Sequence, residues 1–217
     1  MNTCKLSVWK TNRKMRKELD HFYIGVSYGG NQDWFRSFMM RLGGCGAETA
    51  CDSSLYFALH KGIKNIYPFD KSSLTRRDYV DFAHMMEPYL KPRMSGIDRP
   101  DIFIDGYSEY LRDRGVNCLE MNEFSGNEPY EKAVIALTDQ IDKGYPVPTL
   151  ILNHKDRMLK DYVWHWFLIN GYNRPEGTDS VRVKAVTYSS YQWIDFRQLW
   201  DTGYQSKGGL VLFDLQS

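Results

Sequence analysis

The sequence has almost no excess of charge of either sign. Its 217 residues include 28 basic and 27 acidic side chains, so the formal net charge is +1. A charge this close to zero produces no long-range field that would attract nucleic acid or an anionic membrane surface. We therefore expect neither nucleic acid nor a membrane as a partner, and these counts leave the oligomeric state open.

The chain also lacks long apolar segments. It contains no run of about eighteen apolar residues, so it predicts no transmembrane helix. The basic segment MNTCKLSVWKTNRKMRKELD is not followed by the apolar stretch of a secretory signal, so we expect a cytoplasmic protein. With 42% apolar and 25% charged residues, the composition is typical of a globular protein. The length favours a single domain over residues 1–217.

Cysteine is scarce and dispersed. The four cysteines are Cys4, Cys45, Cys51 and Cys118, and they form no CxxC pair and no zinc-like spacing with histidine. Free thiols are the default in a cytoplasmic chain. We therefore interpret Cys4, Cys51 and Cys118 as packing residues, and we expect no cofactor and no metal.

The order of the periodic segments predicts the fold class. Up to Gly144 apolar residues recur mostly at helical spacing, most clearly in EPYEKAVIALTDQIDKG. The later segments VPTLILN, YVWHWFLINGY, VRVKAVTY and GGLVLFDL are rich in β-branched and aromatic residues, as strands are. Helices followed by strands favour an α+β fold with an antiparallel sheet over an alternating α/β fold.

The segment RLGGCGAETA, residues 41–50, places a cysteine where a glycine turn passes into a helix. The residues that follow, GAETACDSSLYFALHKG, have small side chains at helical spacing, which predicts a buried central helix that stops at Gly62. A helix N-terminus stabilises a thiolate through its unpaired N–H groups and its dipole. We therefore expect a lowered pKa for the Cys45 thiol.

A thiol nucleophile needs a base, and the chain has five histidines: His21, His60, His84, His154 and His165. We expect His21 and His60 to be solvated, since they lie near lysines and near the ends of predicted elements. His165 stands between Trp164 and Trp166 in the middle of a predicted strand. A histidine buried there needs a hydrogen-bond partner. It is either a core histidine or the base for Cys45.

Three segments resemble the papain-like cysteine peptidase fold, and more narrowly the branch related to bacteriocin-processing peptidases (C39-like). GGCGAETA is similar to the Cys-Gly-Pro-Ala opening of the family's central helix, with Ala47 where Pro is usual. DKGYPVPTLILN resembles the strand before the catalytic histidine, and HWFLINGY resembles the histidine run that ends in Gly-Tyr. The resemblance spans about residues 25–214. It implies a central N-terminal helix packed on an antiparallel sheet, with a helical insert at about 65–125.

The resemblance also implies roles for individual residues. Cys45 is the nucleophile and His165 its base, in a mechanism that passes through an acyl-enzyme. Gln32 is the candidate oxyanion donor, with Asn31 as the alternative, and either is equally well read as a turn amide. The family orients the imidazole with Asn or Asp, whereas strand alternation places Thr187 at that position here. A hydroxyl accepts a hydrogen bond from the imidazole but cannot neutralise an imidazolium.

Two functions of different classes follow from these residues. The first is a thiol-dependent hydrolase, a cysteine peptidase or amidase, that acts on a peptide or amide substrate. The same acyl-enzyme would serve acyl transfer or transamidation when an amine opens it. The second is a catalytically weak or inactive papain-like module that binds a peptide or a small ligand, and the hydroxyl of Thr187 at the third position motivates it.

Overall fold

In a computed structural model, which describes residues 15–92 and 96–216, these residues form six α-helices and nine β-strands. The helices are α1 (Phe38–Gly43), α2 (Cys45–His60), α3 (Arg76–Met86), α4 (Pro100–Asp113), α5 (Tyr130–Lys143) and α6 (Phe196–Trp200). The strands are β1 (Arg16–Glu18), β2 (Tyr23–Ile24), β3 (Ser27–Tyr28), β4 (Leu119–Ser125), β5 (Val147–Ile151), β6 (His165–Asn173), β7 (Arg182–Thr187), β8 (Ser190–Asp195) and β9 (Gly208–Leu215). Cys4, which the sequence predicts to be a packing residue, lies outside the described residues.

Seven strands form one sheet, in the order β4-β9-β5-β6-β7-β8 with β1 paired to the end of β6. Every pair of neighbouring strands in it is antiparallel. Strands β2 and β3 form a separate hairpin. This is the α+β fold with an antiparallel sheet that the order of the sequence segments predicts. Among the residues described, no helix combines the length and the apolar content needed to cross a membrane.

Strand β6 lies in the middle of the sheet, hydrogen bonded to β5 and β7, with β1 alongside its C-terminal end. Its residues from His165 to Tyr172 are all buried. A strand that is covered on both faces needs apolar residues at successive positions, which explains why HWFLINGY shows little apolar-polar alternation. The histidine that the sequence singles out is therefore the first residue of a buried strand.

Helix α2 packs against β5 and β6 and is buried along most of its length. Every residue from Cys45 to Ala58 is buried. Its small side chains, among them Ala47 and Ala50, leave little between the helix backbone and its neighbours, which permits close packing. The helix ends at His60, and Gly62 follows with a φ of +67° that suits glycine. The predicted buried central helix is thus present, with Cys45 as its first residue.

The helices α3 and α4 lie in the range 65–125, for which the sequence predicts a helical insert. Thr75 caps α3 by accepting a hydrogen bond from the N–H of Asp78, and Pro100 begins α4. Helix α4 packs on β4, which pairs with β9 at the edge of the sheet. Strand β4 lies inside the range 65–125 predicted for the insert, so its helical part ends before Leu119.

The hairpin of β7 and β8 is not indicated by the sequence. Thr187 pairs with Ser190, so the turn between them has two residues, Tyr188 and Ser189, with φ of +49° and +59°. Two-residue hairpin turns usually take their positive φ values from pairs such as Asn-Gly. A Tyr-Ser pair carries no such signal. The sequence patterns therefore miss β8, and with it the turn that follows Thr187.

The positive φ of Ser189 is a source of strain that a glycine would relieve. We expect Ser189→Gly to raise the free energy of unfolding by about 0.5–1 kcal/mol, because the left-handed conformation costs an L-residue about 1–2 kcal/mol and glycine loses part of that gain in backbone entropy. Urea unfolding measures the change. Ser190→Gly, in the adjacent strand, is the control and should destabilise the protein. Equal destabilisation by both substitutions would contradict the expectation.

Candidate functional site

Cys45 follows a sharp connection between α1 and α2. Gly44, between the two helices, donates its N–H to the carbonyl oxygen of Met40 at 2.9 Å. A Cβ at Gly44 would lie 2.3 Å from that oxygen, and a Cβ at Gly46 would lie 2.9 Å from Cδ1 of Ile97. Glycine is therefore needed at Gly44, and it permits close packing at Gly46. The glycines that flank Cys45 serve the geometry of the helix start.

The thiol of Cys45 is only 6% exposed, and this burial governs its chemistry. Burial raises its pKa to about 11, although the nearby main-chain N–H groups of Trp166, Gly46 and Cys45 itself lower it. The carboxyl of Glu48 raises it further. The sequence predicts the opposite direction, because a helix N-terminus is visible in the sequence and the loss of solvent is not. In the resting protein Cys45 is a neutral thiol.

The imidazole of His165 is held by two contacts. Its Nε2 lies 2.7 Å from Oγ1 of Thr187, and its ring stacks on Tyr188 with centroids 4.8 Å apart and planes 2° from parallel. Burial lowers the pKa of His165 to about 4, so the ring is neutral at neutral pH. When the proton is on Nε2, the imidazole donates to Thr187 and Nδ1 carries the free lone pair. The contact between histidine and threonine that strand alternation predicts is present.

The thiol and the imidazole lie in the same region of the molecule. One of the N–H groups near the sulfur belongs to Trp166, the residue directly after His165. Burial raises the pKa of Tyr188 to about 12, and the charges that Glu48 and Cys45 carry once ionised raise it further. Tyr188 thus stacks on the imidazole and lies within the electric field of the sulfur. The start of α2, the start of β6 and the turn after β7 meet here.

Backbone strain is concentrated at this meeting point. Among the described residues, four that are not glycine have positive φ, namely Asn65, Trp164, Tyr188 and Ser189. Trp164 directly precedes His165 and is 50% exposed, and Tyr188 and Ser189 follow Thr187, so three of the four lie at this point. Such conformations cost about 1–3 kcal/mol each and cluster at functional sites. The strain supports the interpretation that this region has a function.

Gln32, the candidate oxyanion donor, is buried in the loop before α1. Its Nε2 donates to the carbonyl oxygen of Arg41 at 2.8 Å, and its Oε1 is buried with no hydrogen-bond partner in the described part of the chain. The second hydrogen on Nε2 is left for another acceptor. The alternative, Asn31, caps the short 3-10 helix Gln32–Trp34 by accepting from the N–H of Asp33. The oxyanion role of Gln32 stays a prediction.

Two buried carboxyls on α2, one turn apart, are functional candidates that the sequence analysis passes over. Glu48 accepts a hydrogen bond from the N–H of Gln32 at 2.9 Å. Asp52 accepts from the N–H of Gly30 at 3.1 Å and from the hydroxyl of Tyr79 at 2.6 Å. Burial raises both pKa values, that of Asp52 to about 7, and the charge of Asp52 raises that of Glu48 further. The sequence did contain a signal for this pair, namely two acidic residues four positions apart within a run of small and apolar residues.

The ring nitrogens of His21 are buried and the residue as a whole is half-buried, which corrects the expectation that it is solvated. Its ring stacks on Phe22 with centroids 4.4 Å apart and lies tilted against Tyr28 at 4.8 Å, and neither ring nitrogen has a hydrogen-bond partner in the part of the chain that the structure describes. Burial lowers its pKa to about 3, and the charge of Lys184 lowers it further. Lysines near it in sequence did not indicate exposure, because the β2–β3 hairpin folds over the ring.

A cavity of about 250 Å³ opens beside the histidine-threonine pair. Its lining consists of Asp161, Tyr162, Ala185, Thr187, Tyr188, Ser190, Tyr191 and Gln192. This volume is below the usual range for pockets that bind drug-sized ligands, and it suits a single side chain or a small group. Asp161 is the charged residue of the lining. The cavity thus adjoins Thr187, whose hydroxyl contacts His165 Nε2.

Cys51 and Cys118 are free thiols, as the sequence predicts. Cys51 is fully buried in the core and Cys118 is half-buried beside it. In residues 15–92 and 96–216, no group of three His, Cys, Asp or Glu side chains is arranged to hold a metal ion.

The raised pKa of Cys45 predicts a slow reaction with iodoacetamide. We expect Cys45 to be alkylated more slowly than the half-buried Cys118 at pH 8, and its rate to increase steeply only towards pH 11, because the thiolate is the reacting form. Mass spectrometry of the native protein, labelled between pH 6 and 11, measures both rates. Preferential labelling of Cys45 at pH 7 would mean that the thiolate is already stable in the resting site.

The two buried histidines predict a loss of stability in acid. Their folded-state pKa values, about 4 for His165 and about 3 for His21, are below the unfolded value near 6.5, so the unfolded state binds protons first. Their contribution is complete above pH 6.5 and is lost as the pH falls through 4 to 3. We expect His21→Phe to move the acid-unfolding midpoint, followed by circular dichroism, to lower pH. His60→Phe, at an exposed position, should move it less; equal shifts would contradict this account.

Comparison with models of protein families and with curated proteins finds no match to this chain. The resemblance to papain-like cysteine peptidases therefore rests on the three sequence segments that carry it. What the site can do must be argued from the geometry of its own residues, chiefly Cys45, His165 and Thr187.

Proposed function

We propose that this chain is a single-domain papain-like thiol hydrolase that cleaves a peptide or amide bond through an acyl-enzyme. One observation carries the proposal. His165 Nε2 lies 2.7 Å from Thr187 Oγ1, while the main-chain N–H of Trp166, the residue after His165, lies close enough to the sulfur of Cys45 to lower its pKa. A nucleophile, a base and a group that orients the base are the parts that covalent catalysis by a thiol requires.

The neutral state of both groups defines the first step. Nδ1 of His165 takes the proton of Cys45 as the sulfur attacks the carbonyl carbon, so no thiolate is needed beforehand. The N–H groups at the start of α2, with Nε2 of Gln32, donate to the oxyanion. The C–N bond then breaks and the imidazolium protonates the leaving amine. Water attacks the thioester in the second half, with His165 again as the base, and releases the acid.

The arrangement of the elements agrees with a papain-like architecture. A buried helix begins with the cysteine and packs on an antiparallel sheet, and the strand beside it begins with the histidine. In this architecture, the helices α3 and α4 are the insert. The cavity next to Thr187 offers space for one side chain of the substrate.

Thr187 limits the rate that the mechanism can reach, because its hydroxyl has no charge to stabilise the imidazolium. Its hydrogen bond still orients the imidazole of His165. We expect Thr187→Val to lower kcat about tenfold, the size of effect that loss of one buried hydrogen bond produces. Steady-state kinetics on an accepted peptide measures kcat, and Thr149→Val, a buried threonine elsewhere in the sheet, is the matched control.

Activity itself is tested with a library of fluorogenic peptide amides. We expect turnover by the native chain, complete loss in Cys45→Ala, and retention in Cys51→Ala, since Cys51 is buried deeper in the same helix. A peptide vinyl sulfone should add to Cys45 in the native chain. Absence of both turnover and adduct would remove the hydrolase proposal. Addition of an amine acceptor distinguishes hydrolysis from transfer, because the product is then the new amide.

The second candidate, a papain-like module that binds without cleaving, is favoured by the neutral thiol and imidazole. Raising the pKa of Cys45 and lowering that of His165 both oppose transfer of the proton between them. Such a module would keep the cavity and use Cys45 only for packing. It predicts that peptides bind equally to the native chain and to Cys45→Ala, with no product in either case.

A further inference from the structure

Glu48 joins two segments that are far apart in the sequence. It is the third residue after Cys45 in the first turn of α2, and it is 4% exposed. Its Oε2 accepts a hydrogen bond from the main-chain N–H of Gln32 at 2.9 Å. The main-chain N–H of Tyr188 lies near the same carboxyl, close enough to lower its pKa. A carboxyl with two oxygens can hold both donors at once, which an alcohol or a single carbonyl does less well.

Each segment that Glu48 holds carries a residue of the proposed site. Gln32 is the candidate oxyanion donor. Tyr188 follows Thr187, the partner of His165 Nε2, and its own ring stacks on that imidazole. Because Cys45 and Glu48 share one helical turn, a bond from Glu48 to either segment fixes that segment relative to the sulfur.

The turn after β7 is the segment that most needs such a bond. Tyr188 has a φ of +49°, which a non-glycine residue keeps only when its surroundings hold it. The N–H of Ser189 donates to the carbonyl oxygen of Gly30, and the N–H of Tyr28 donates to that of Ser189. Those bonds join the turn to the Gly30 loop and do not reach α2. Asp52 ties Gly30 to the helix, one turn further from Cys45.

We propose that Glu48 is a positioning residue, which fixes the loop of Gln32 and the turn after Thr187 on the first turn of α2. That these segments serve catalysis rests on the proposed function, whereas the positioning itself is independent of it. Glu48 touches neither the substrate nor the reacting atoms in this role. It acts through Gln32 on one side of Cys45 and through Thr187 and His165 on the other.

The test compares Glu48→Ala with Ser54→Ala, a buried polar residue of the same helix that bonds instead to the hydroxyl of Tyr107. Amide hydrogen exchange is measured by NMR on the folded proteins. We expect the amides of Gln32 and Tyr188 to exchange at least tenfold faster in Glu48→Ala, since each loses its buried acceptor. In Ser54→Ala the exchange rates of the Gln32 and Tyr188 amides should change no more than those of the amides in α2. Equal acceleration in both variants would overturn the proposal.

A second readout follows the imidazole. The nitrogen chemical shifts of His165 report its tautomer, which depends on the hydrogen bonds that the ring makes, among them the one to Thr187. We expect a single tautomer in the native chain and in Ser54→Ala, and a mixture in Glu48→Ala. Glu48→Gln keeps the shape and one acceptor oxygen, so its tautomer mixture should lie between those of the native chain and Glu48→Ala. If Glu48→Ala does not fold, Glu48→Gln takes its place. An unchanged tautomer in every folded variant would contradict the proposal.

Kinetics then separates this proposal from the proposed function. If the native chain cleaves peptides, Glu48→Ala should lower kcat at least tenfold and change KM less than twofold, with partial recovery in Glu48→Gln. A change in KM alone would overturn the positioning role. If the native chain cleaves no peptide, the hydrolase proposal fails, and the exchange rates and the tautomer of His165 still decide the role of Glu48.

Discussion

The burial of α2 against the sheet is the constraint on which the rest of the site depends. Small side chains let the helix lie close to β6, and that closeness sets the sulfur of Cys45 against the backbone that follows His165. It also removes water from Glu48 and Asp52, so these carboxyls must find donors in the protein. The donors they find include main-chain N–H groups of the loop from Gly30 to Gln32 and the hydroxyl of Tyr79.

The same burial determines the electrostatics of the site. A helix N-terminus and three N–H donors favour the thiolate of Cys45, yet desolvation outweighs them and raises its pKa to about 11. Desolvation lowers the pKa of His165 to about 4. Both effects favour neutral groups, so any chemistry must couple proton transfer to attack on the substrate. A hydroxyl at the third position is consistent with this balance, because a neutral imidazole needs orientation more than charge compensation.

The strained backbone conformations at the site are held in place by its polar hydrogen bonds. Trp164 before His165, and Tyr188 with Ser189 after Thr187, all have positive φ. Such residues keep their conformation only where the surroundings hold them. The carboxyl of Glu48 supplies part of that support from α2. The strained conformations of these turns cost stability, and they hold the threonine hydroxyl against the imidazole.

Hydrophobic period and residue type were sufficient to predict the α+β class, the buried helix that begins at Cys45 and the strand that carries His165. The resemblance to papain-like peptidases placed the residue that orients the imidazole on β7, and alternation along that strand selected Thr187. Only the tertiary structure decided the direction of the pKa shifts of Cys45 and His165, the burial of His21 and the partners of Glu48. Periodicity and alternation are local properties that side chains show within a few residues. Desolvation, and hydrogen bonds between residues 32, 48 and 188, depend on which distant segments cover a group, and a pattern along one chain does not contain that information.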